Sequence, residues 1–222
     1  MPEGSKELEV IYSQRFGGRQ DYRIRVWQVL IRSFFGKFVP SDAAVLDLGC
    51  GYGEFINQIA CRQKYGMDLN PTTGRILASD VSFLQQDCSA AWPLPDNSLD
   101  VVFTSNFFEH LPSKATLGAT LEQAHRCLKP GGRLIAMGPN IKYLPGAYWD
   151  FWDHYLPLTE LSLSEGLRTR GFRIEVCVAR FLPYTMVNAP EYPLFFLRAY
   201  LAIPVAWRFF GGQFLVVASC EK

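Results

Sequence analysis

The stretch that decides the fold reads VLDLGCGYGEF at residues 45–55 and is followed by GMDLN at residues 66–70. An apolar segment that contains an acid enters a turn with glycines at alternate positions, and Asp68 follows 17 residues after Gly51. This order predicts a βαβ unit whose glycines let the backbone approach a nucleotide closely. An acid at the end of the second strand is placed to accept the ribose hydroxyls.

The details of this turn favour a cationic nucleotide over a dinucleotide. A dinucleotide site requires G-x-G-x-x-G, because the pyrophosphate sits on the helix N-terminus. This chain has G-x-G-x-G instead, with Glu54 at the third glycine position of that fingerprint and Asp47 two residues before Gly49. Carboxylates repel a pyrophosphate, but they suit a ligand that carries an ammonium and a sulfonium.

These two stretches resemble motif I and the following acidic motif of the class I S-adenosylmethionine-dependent methyltransferases, small-molecule type. LKPGGRL at residues 128–134 resembles the loop before strand five of that family. The resemblance covers residues 43–180 and the final strand. It implies a mostly parallel seven-stranded sheet whose last strand is antiparallel and enters between strands five and six. It also implies S-adenosylmethionine as cofactor and S-adenosylhomocysteine as product, and we expect no metal.

The hydrophobic pattern itself predicts alternating strands and helices, and therefore an α/β fold with one Rossmann-like, doubly wound sheet. We predict strands at residues 43–48, 64–68, 83–86, 100–105, 133–137, 172–179 and 213–221. We predict helices at residues 22–39, 53–62, 113–128 and 159–170, and a tight turn at residues 129–132. Residues 1–222 are expected to form a single methyltransferase domain, with an N-terminal helical segment (1–42), a cofactor-binding core (43–180), an apolar insertion or cap (181–212) and a final strand (213–221).

Composition narrows the class of protein. The 222 residues carry a net charge of +1, and 19% of them are charged. This composition lacks the excess of basic residues that is typical of proteins that bind nucleic acid. The six cysteines show no C-x-x-C spacing, which argues against a metal cluster. A disulfide framework is not expected at this size, and the first nine residues are polar and acidic rather than a secretory signal. We therefore expect a cytoplasmic protein.

The resemblance implies a set of cofactor-binding residues. Asp47 and Gly49 would hold the methionine end, although an acid at this position also serves simply to cap the following turn. Asp68 would bind the ribose hydroxyls and Leu69 would pack on the adenine, or serve as a plain core leucine. Ordered along the chain, the predicted cofactor-binding residues are Asp47, Gly49, Cys50, Gly51, Gly53, Asp68, Leu69, Asp87, Cys88, Ser105 and Asn106.

Three residues are candidates for proton transfer. His110 follows the fourth predicted strand, and its ordinary pKa lies near neutrality. Asp153 and His154 lie in an aromatic link after the fifth strand, and long loops at the carboxyl edge of a sheet are often functional. The alternatives are a helix-start histidine at His110 and a packed aromatic flap around His154. An Asn-Pro-Pro-Tyr type motif is absent near His110, which argues against adenine or amide nitrogen as the methyl acceptor.

Several features leave more than one interpretation open. Arg15 or Arg23 is a candidate partner for the cofactor carboxylate, or part of a solvated helix face. Residues 193–212 contain no uncharged stretch long enough to span a membrane, but they would cap the pocket, lie on a membrane surface or form a dimer interface. We expect O-methylation of a small molecule or a glycan- or lipid-linked metabolite. The alternatives are a protein or RNA methyltransferase, a non-catalytic cofactor-binding subunit and, more distantly, a nicotinamide dehydrogenase.

Overall fold

A computed structural model describes residues 20–184 and 191–222. The described residues form seven strands: β1 (Ala44–Leu48), β2 (Gln63–Asp68), β3 (Val81–Gln85), β4 (Leu99–Ser105), β5 (Leu128–Pro139), β6 (Phe172–Val178) and β7 (Gln213–Cys220). They make one sheet in the order β3-β2-β1-β4-β5-β7-β6. The first five strands pair in parallel, and β7 runs antiparallel to both β5 and β6. The predicted fold class is confirmed, including the position of the last strand.

Helices cover both faces of this sheet. The described helices are α1 (Gln20–Ser33), α2 (Lys114–Cys127), α3 (Glu160–Arg168), α4 (Leu194–Ala202) and α5 (Pro204–Phe210). Alternate residues of β1 face opposite cores, because successive side chains of a strand point to opposite faces. Leu46 packs in the core that includes α2 and α3, and Val45 packs in the core that includes α1 and α4. All five residues of β1 are consequently buried.

The predicted helix over residues 53–62 is wrong. The chain there forms hydrogen-bonded turns, with the amide of Asn57 bonded to the carbonyl of Gly53. Two side chains of this segment bond to backbone groups: the amide of Ala78 donates to the Asn57 side-chain oxygen, and the Gln58 carboxamide donates to the carbonyls of Ile24 and Glu54. The bonds to Ala78 and Ile24 attach these turns to distant parts of the chain and do not belong to a helical pattern.

Two further elements differ from prediction by more than two residues at one end. The first helix ends at Ser33, and a 3₁₀ turn covers Phe35–Phe38. A Cβ at Gly36 would lie 2.9 Å from the Ile31 carbonyl oxygen, so the backbone is tightly packed at the point where the helix gives way to the 3₁₀ turn. The predicted turn at residues 129–132 lies inside β5 as an irregularity, since Leu128 pairs with Leu99 and Arg133 pairs with Val101.

The predicted site residues lie at one edge of the sheet, where the parallel strands end. β1, β2, β4 and β5 all end there, so that the loops after them meet at the carboxyl edge, where ligands of open α/β sheets bind. The insertion between β6 and β7 contributes α4 and α5. None of the helices in the described ranges combines the length and the apolar character that a membrane span requires. All six cysteines, which fall within those ranges, are unpaired.

Candidate active site

The glycine turn after β1 requires glycine for steric reasons. Gly49, Gly51 and Gly53 have φ values of +71°, +50° and +72°, a region that side chains with a Cβ rarely adopt. A Cβ at Gly49 would also lie 2.3 Å from the ring of Phe107, which follows β4. The turn therefore packs directly against the end of the neighbouring strand.

Asp68, at the end of β2, closes this turn. One carboxylate oxygen accepts a 2.8 Å hydrogen bond from the amide of Gly51, and the other accepts a 2.8 Å bond from the amide of Asn70. Burial raises the pKa of Asp68, although these two bonds oppose the shift. The next side chain, Leu69, is 52% exposed. The end of β2 thus presents a carboxylate held by backbone amides beside an exposed apolar surface.

Asp47 and Glu54 place two more carboxyl groups at the same turn. Asp47 is buried and accepts a hydrogen bond from the amide of Ile56, and burial followed by the charge of Glu54 raises its pKa well above the ordinary value. Its carboxylate therefore caps the turn, and a contact with the cofactor's methionine end stays a prediction. Arg23 donates to Glu54 over 3.0 Å and lies 5.3 Å from the ring centre of Tyr52. Tyr12 and Arg15 lie outside the described residues.

Cys50 and Cys88 have buried side chains, although both were predicted to contact the cofactor. The Cys50 thiol packs against Gly66 of β2, where a Cβ would lie 3.0 Å from its sulfur. The Cys88 thiol accepts a 3.2 Å hydrogen bond from the Thr120 hydroxyl, and burial raises the pKa of Cys88 to about 11. Only the backbone of these two residues is therefore placed to meet a ligand.

The remaining predicted cofactor residues follow β3 and β4. Asp87 is exposed, and one of its carboxylate oxygens accepts 2.7 Å bonds from the amide and the hydroxyl of Ser89. Asn106 adopts a left-handed conformation with φ of +50° and donates to the Ser105 hydroxyl over 3.1 Å. Its amide bonds the carbonyl of Met137. These residues line the same sheet edge as Asp68.

His110 contacts Asp153, a pairing that sequence did not indicate. The Nδ1 atom of His110 lies 3.2 Å from the Asp153 carboxylate and 2.9 Å from the Asp153 carbonyl oxygen. Burial acts to lower the pKa of His110, but the hydrogen bond to Asp153 and the charges of Glu109 and Asp153 outweigh it and raise the pKa. The His110 side chain keeps 28% exposure, so solvent or a substrate can reach it.

Glu109 is the functional candidate that sequence reasoning missed. Its side chain is buried, and burial raises the pKa of Glu109 to about 7 although the charge of His110 opposes the shift. Its backbone carbonyl accepts bonds from the amides of Tyr155 and Leu156, and thereby ties the link after β5 to the end of β4. The signal in the sequence was a charged residue that follows two phenylalanines shortly after a buried strand.

The link from β5 to α3, residues 140–158 and here called the aromatic flap, holds His154 beside His110. The two imidazole centres lie 5.0 Å apart, and Nδ1 of His154 lies 2.9 Å from the Tyr148 carbonyl oxygen. Tyr148 is fully buried, and its hydroxyl has no hydrogen-bond partner within the described part of the chain. Trp152, by contrast, is 79% exposed. The flap combines a packed inner side with an aromatic outer side.

Comparison with known proteins identifies the family. A sequence profile described as "Methyltransferase domain" matches residues 46–136, which include the glycine turn, Asp68 and His110. The matched core belongs to the class I S-adenosylmethionine-dependent methyltransferases. The chain is 33% identical over 165 residues to a Mycolicibacterium smegmatis protein named "Probable S-adenosylmethionine-dependent methyltransferase", a match that covers 70% of this chain and 61% of that one.

One further relative agrees with this assignment, and one solved structure shares the fold. A demethylmenaquinone methyltransferase of Symbiobacterium thermophilum is 30% identical over 180 residues, covering 73% of this chain and 66% of that protein. The chain thus spans less than two thirds of the length of the Mycolicibacterium and Symbiobacterium relatives. The structure of a SAM dependent methyltransferase from Archaeoglobus fulgidus superposes with a TM-score of 0.67 at 22% identity, covering 95% of this chain and 99% of that one. The last comparison bears on the fold alone.

The residues at this edge of the sheet fit S-adenosylmethionine. Each oxygen of the Asp68 carboxylate accepts one backbone bond, and a carboxylate oxygen has a second lone pair with which to accept from a ribose hydroxyl. The exposed Leu69 offers apolar surface beside it. Two carboxyl groups, Asp47 and Glu54, lie at the turn, and carboxyl groups suit a cationic ligand better than a pyrophosphate.

The loop after β4 and the aromatic flap also bring together a group of potential metal ligands. Glu109, His110 and His154 each offer one ligand atom, and these atoms all lie within 4.8 Å of one another. Imidazole and carboxylate groups at such distances can share protons as well as coordinate a metal ion. The expectation that no metal is involved therefore stays a prediction.

Proposed function

We propose that this chain transfers the methyl group of S-adenosylmethionine to a hydroxyl oxygen of a small-molecule or glycan- or lipid-linked acceptor, without a metal ion. The observation that carries the proposal is the contact between His110 and Asp153 at the carboxyl edge of the sheet. His110 is also close enough to the predicted ribose-binding Asp68 for its charge to lower the pKa of that carboxyl. A base and a cofactor-binding acid thus share one site.

The His110–Asp153 pair is suited to accept a proton. Nδ1 of His110 contacts two oxygen acceptors of Asp153, which assigns the proton to Nδ1 and the lone pair to Nε2. Bound S-adenosylmethionine supplies an electrophilic methyl group on a sulfonium. Nε2 of His110 would accept the proton of the acceptor hydroxyl as that oxygen takes the methyl group, and the thioether of the cofactor would be the neutral leaving group. Asp153 stabilises the imidazolium.

Positioning of the acceptor against the methyl group supplies much of the rate acceleration. Displacement from a sulfonium disperses charge, so that holding the acceptor in line with the methyl group contributes more than any single base. The aromatic flap is fixed for this task by the two bonds from Tyr155 and Leu156 to the carbonyl of Glu109. His154, held by the Tyr148 carbonyl, packs beside His110 and helps to orient it.

The acceptor is proposed to be partly apolar. The flap offers Trp149, Trp152 and Tyr155, all more than half exposed, and aromatic surfaces favour apolar acceptors over hydrated ones. The net charge of +1 gives no support to nucleic acid. The name of the Symbiobacterium relative, demethylmenaquinone methyltransferase, also supports a small-molecule acceptor. The six unpaired cysteines support a cytoplasmic location.

Transfer of label from methyl-labelled S-adenosylmethionine into a host-cell extract tests this function. The extract is then fractionated into lipid, polysaccharide, protein, RNA and small molecules. We expect label in the lipid or small-molecule fraction, on oxygen, and less label with Asp68→Ala at the same cofactor concentration. Label in protein or RNA would overturn the acceptor class. Confirmed cofactor binding with no label in any fraction would favour a non-catalytic subunit.

A further inference from the structure

The insertion between β6 and β7 has an inner face that is firmly attached to the core. The Tyr200 hydroxyl of α4 donates a 2.6 Å hydrogen bond to the carbonyl of Phe181. The Trp207 indole of α5 donates a 2.9 Å bond to the carbonyl of Tyr200, and its ring lies 5.0 Å from that of Phe181. These contacts join the two helices to each other and to the sheet.

Arg180 fixes the far end of α5. Its guanidinium donates to the carbonyls of Phe209, over 2.8 Å, and Gly211, over 2.7 Å. The last carbonyls of a helix lack intrahelical partners and carry partial negative charge, so a guanidinium stabilises them. The orientation of the outer face of α4 and α5 is therefore set by the fold.

That outer face consists of large apolar side chains in solvent. Every one of them is at least 49% exposed, and Phe209 reaches 71%. The six side chains are Phe195, Phe196, Ile203, Val205, Phe209 and Phe210. We call this set the α4–α5 surface. Apolar patches of this kind on a folded domain mark interaction sites.

The charged side chains on the same two helices are both cationic. Arg198 and Arg208 are the only charged residues between positions 191 and 221. Both are exposed, and neither forms an ion pair with another described residue. An occupant of this surface must therefore accept apolar rings and also supply negative charge.

A second copy of the chain does not meet that requirement. A two-fold interface places the same surface on both sides, so that it would bring two copies of Arg198 and Arg208 together with no carboxylate from either surface. An anionic lipid bilayer meets both conditions, because acyl chains accept the aromatic rings and phosphates accept hydrogen bonds from guanidinium groups.

We propose that the α4–α5 surface docks on an anionic bilayer, with its phenylalanines in the acyl boundary and its two arginines at the headgroups. The short helices lie on the bilayer and do not cross it. This inference goes beyond the proposed reaction and does not depend on it, because docking requires neither cofactor nor methyl acceptor. Failure of one claim therefore leaves the other standing.

Sedimentation with lipid vesicles tests the docking. The full chain is mixed with phosphatidylcholine vesicles with and without phosphatidylglycerol. We expect binding to the anionic vesicles that weakens as salt increases. Phe195→Ser/Phe209→Ser should reduce the partition coefficient at least about tenfold, because two aromatic anchors are lost. Arg198→Gln/Arg208→Gln should reduce binding to the anionic vesicles, also by about tenfold, and leave weak binding to neutral vesicles unchanged.

The matched controls lie on the opposite face of the sheet. Leu161→Ser removes an exposed apolar side chain of α3, and Lys114→Gln/Arg168→Gln removes two exposed cations of α2 and α3. Both controls should bind vesicles as the wild type does. Wild-type chain that stays in the supernatant with anionic vesicles would overturn the proposal. So would a dimer by light scattering that the phenylalanine variant converts to monomer, since the surface would then be a subunit interface.

Discussion

The carboxylate of Asp153 lies 3.2 Å from Nδ1 of His110, although 43 residues separate them in the chain. The contact forms because the Glu109 carbonyl anchors the aromatic flap to the end of β4 through the amides of Tyr155 and Leu156. A carboxylate that fixes the tautomer of a histidine is a common arrangement for proton transfer. This pair is the part of the site from which most of the chemistry follows.

Asp153→Asn should slow methyl transfer about 100-fold and shift its pH dependence. Asp153 helps to raise the pKa of His110, so its loss lowers that pKa and moves the acidic limb of the kcat profile to lower pH. The pH–rate profile measures both effects. Cofactor affinity, followed by calorimetry, should stay unchanged. An unshifted limb would mean that His110 is not the titrating base.

Asp68→Ala should weaken S-adenosylmethionine binding by about 1–3 kcal/mol, because ribose hydroxyls would lose their acceptor. Titration calorimetry gives this number. Glu165→Ala removes an exposed carboxylate from α3 and serves as the control. Since Asp68 also bonds the amide of Gly51, a melting curve must show that the variant is folded. Equal affinity in a folded Asp68→Ala protein would remove Asp68 from the site.

Glu109 should make the folded state less stable as the pH rises. Its pKa is about 7 in the folded chain, against an ordinary value of 4.5. The folded state thus holds the proton more tightly, and stability is complete below pH 4.5 and falls as the pH rises through about 7. The loss is about 3 kcal/mol. The raised pKa of His110 acts with the same sign, because its stabilising charge is lost as the pH rises.

Urea unfolding across this pH range measures the effect. Glu109→Gln keeps the shape of the side chain and removes its titration, so the decline with pH should become shallower. Glu165→Gln, which is exposed, should leave the decline unchanged. A Glu109→Gln protein with the wild-type slope would show that the carboxyl is not the buried titrating group.

Gly49→Ala and Gly166→Ala should change stability in opposite directions. Gly49 has φ of +71° and no room for a Cβ beside the ring of Phe107, so alanine there should cost about 1–3 kcal/mol or more. A Cβ at Gly166 of α3 meets nothing within 4 Å. Alanine there should stabilise by about 0.5–1 kcal/mol through its helix propensity. Thermal unfolding distinguishes the two, and an unaffected Gly49→Ala protein would contradict the described turn.

Chelation should leave methyl transfer unchanged. The proposed base needs only Asp153 as its partner, although Glu109, His110 and His154 lie close enough to coordinate an ion. The test is turnover before and after EDTA treatment and desalting. Loss of activity that added Zn²⁺ or Mn²⁺ restores would assign this group to a metal instead.

Sequence predicted the architecture because strands and glycines follow local rules. The run from Val45 to Gly53 has one reasonable interpretation, and β7 was placed correctly through the family resemblance. The helix over residues 53–62 failed because the Asn57 and Gln58 side chains bond distant backbone groups, which no periodicity records. A local sequence pattern predicts the structure only where local interactions determine it.

The site was predictable in its residues but not in its pairings. His110, Asp153 and His154 were all recognised as titratable side chains near the carboxyl edge. Asp153 and His154 are neighbours in the sequence, whereas the contact between Asp153 and His110 depends on how the flap folds back onto β4. Glu109 was missed because its importance comes from burial, and a sequence does not show which side of a turn faces the core.

A crystal structure of the chain with S-adenosylhomocysteine bound would show whether the cofactor and the base lie at one edge of the sheet. We expect both ribose hydroxyls to bond the Asp68 carboxylate, and the sulfur to face the space beside His110 and the aromatic flap. A ribose bound away from Asp68, or a sulfur turned away from His110, would contradict the assignment of cofactor site and base to one edge of the sheet.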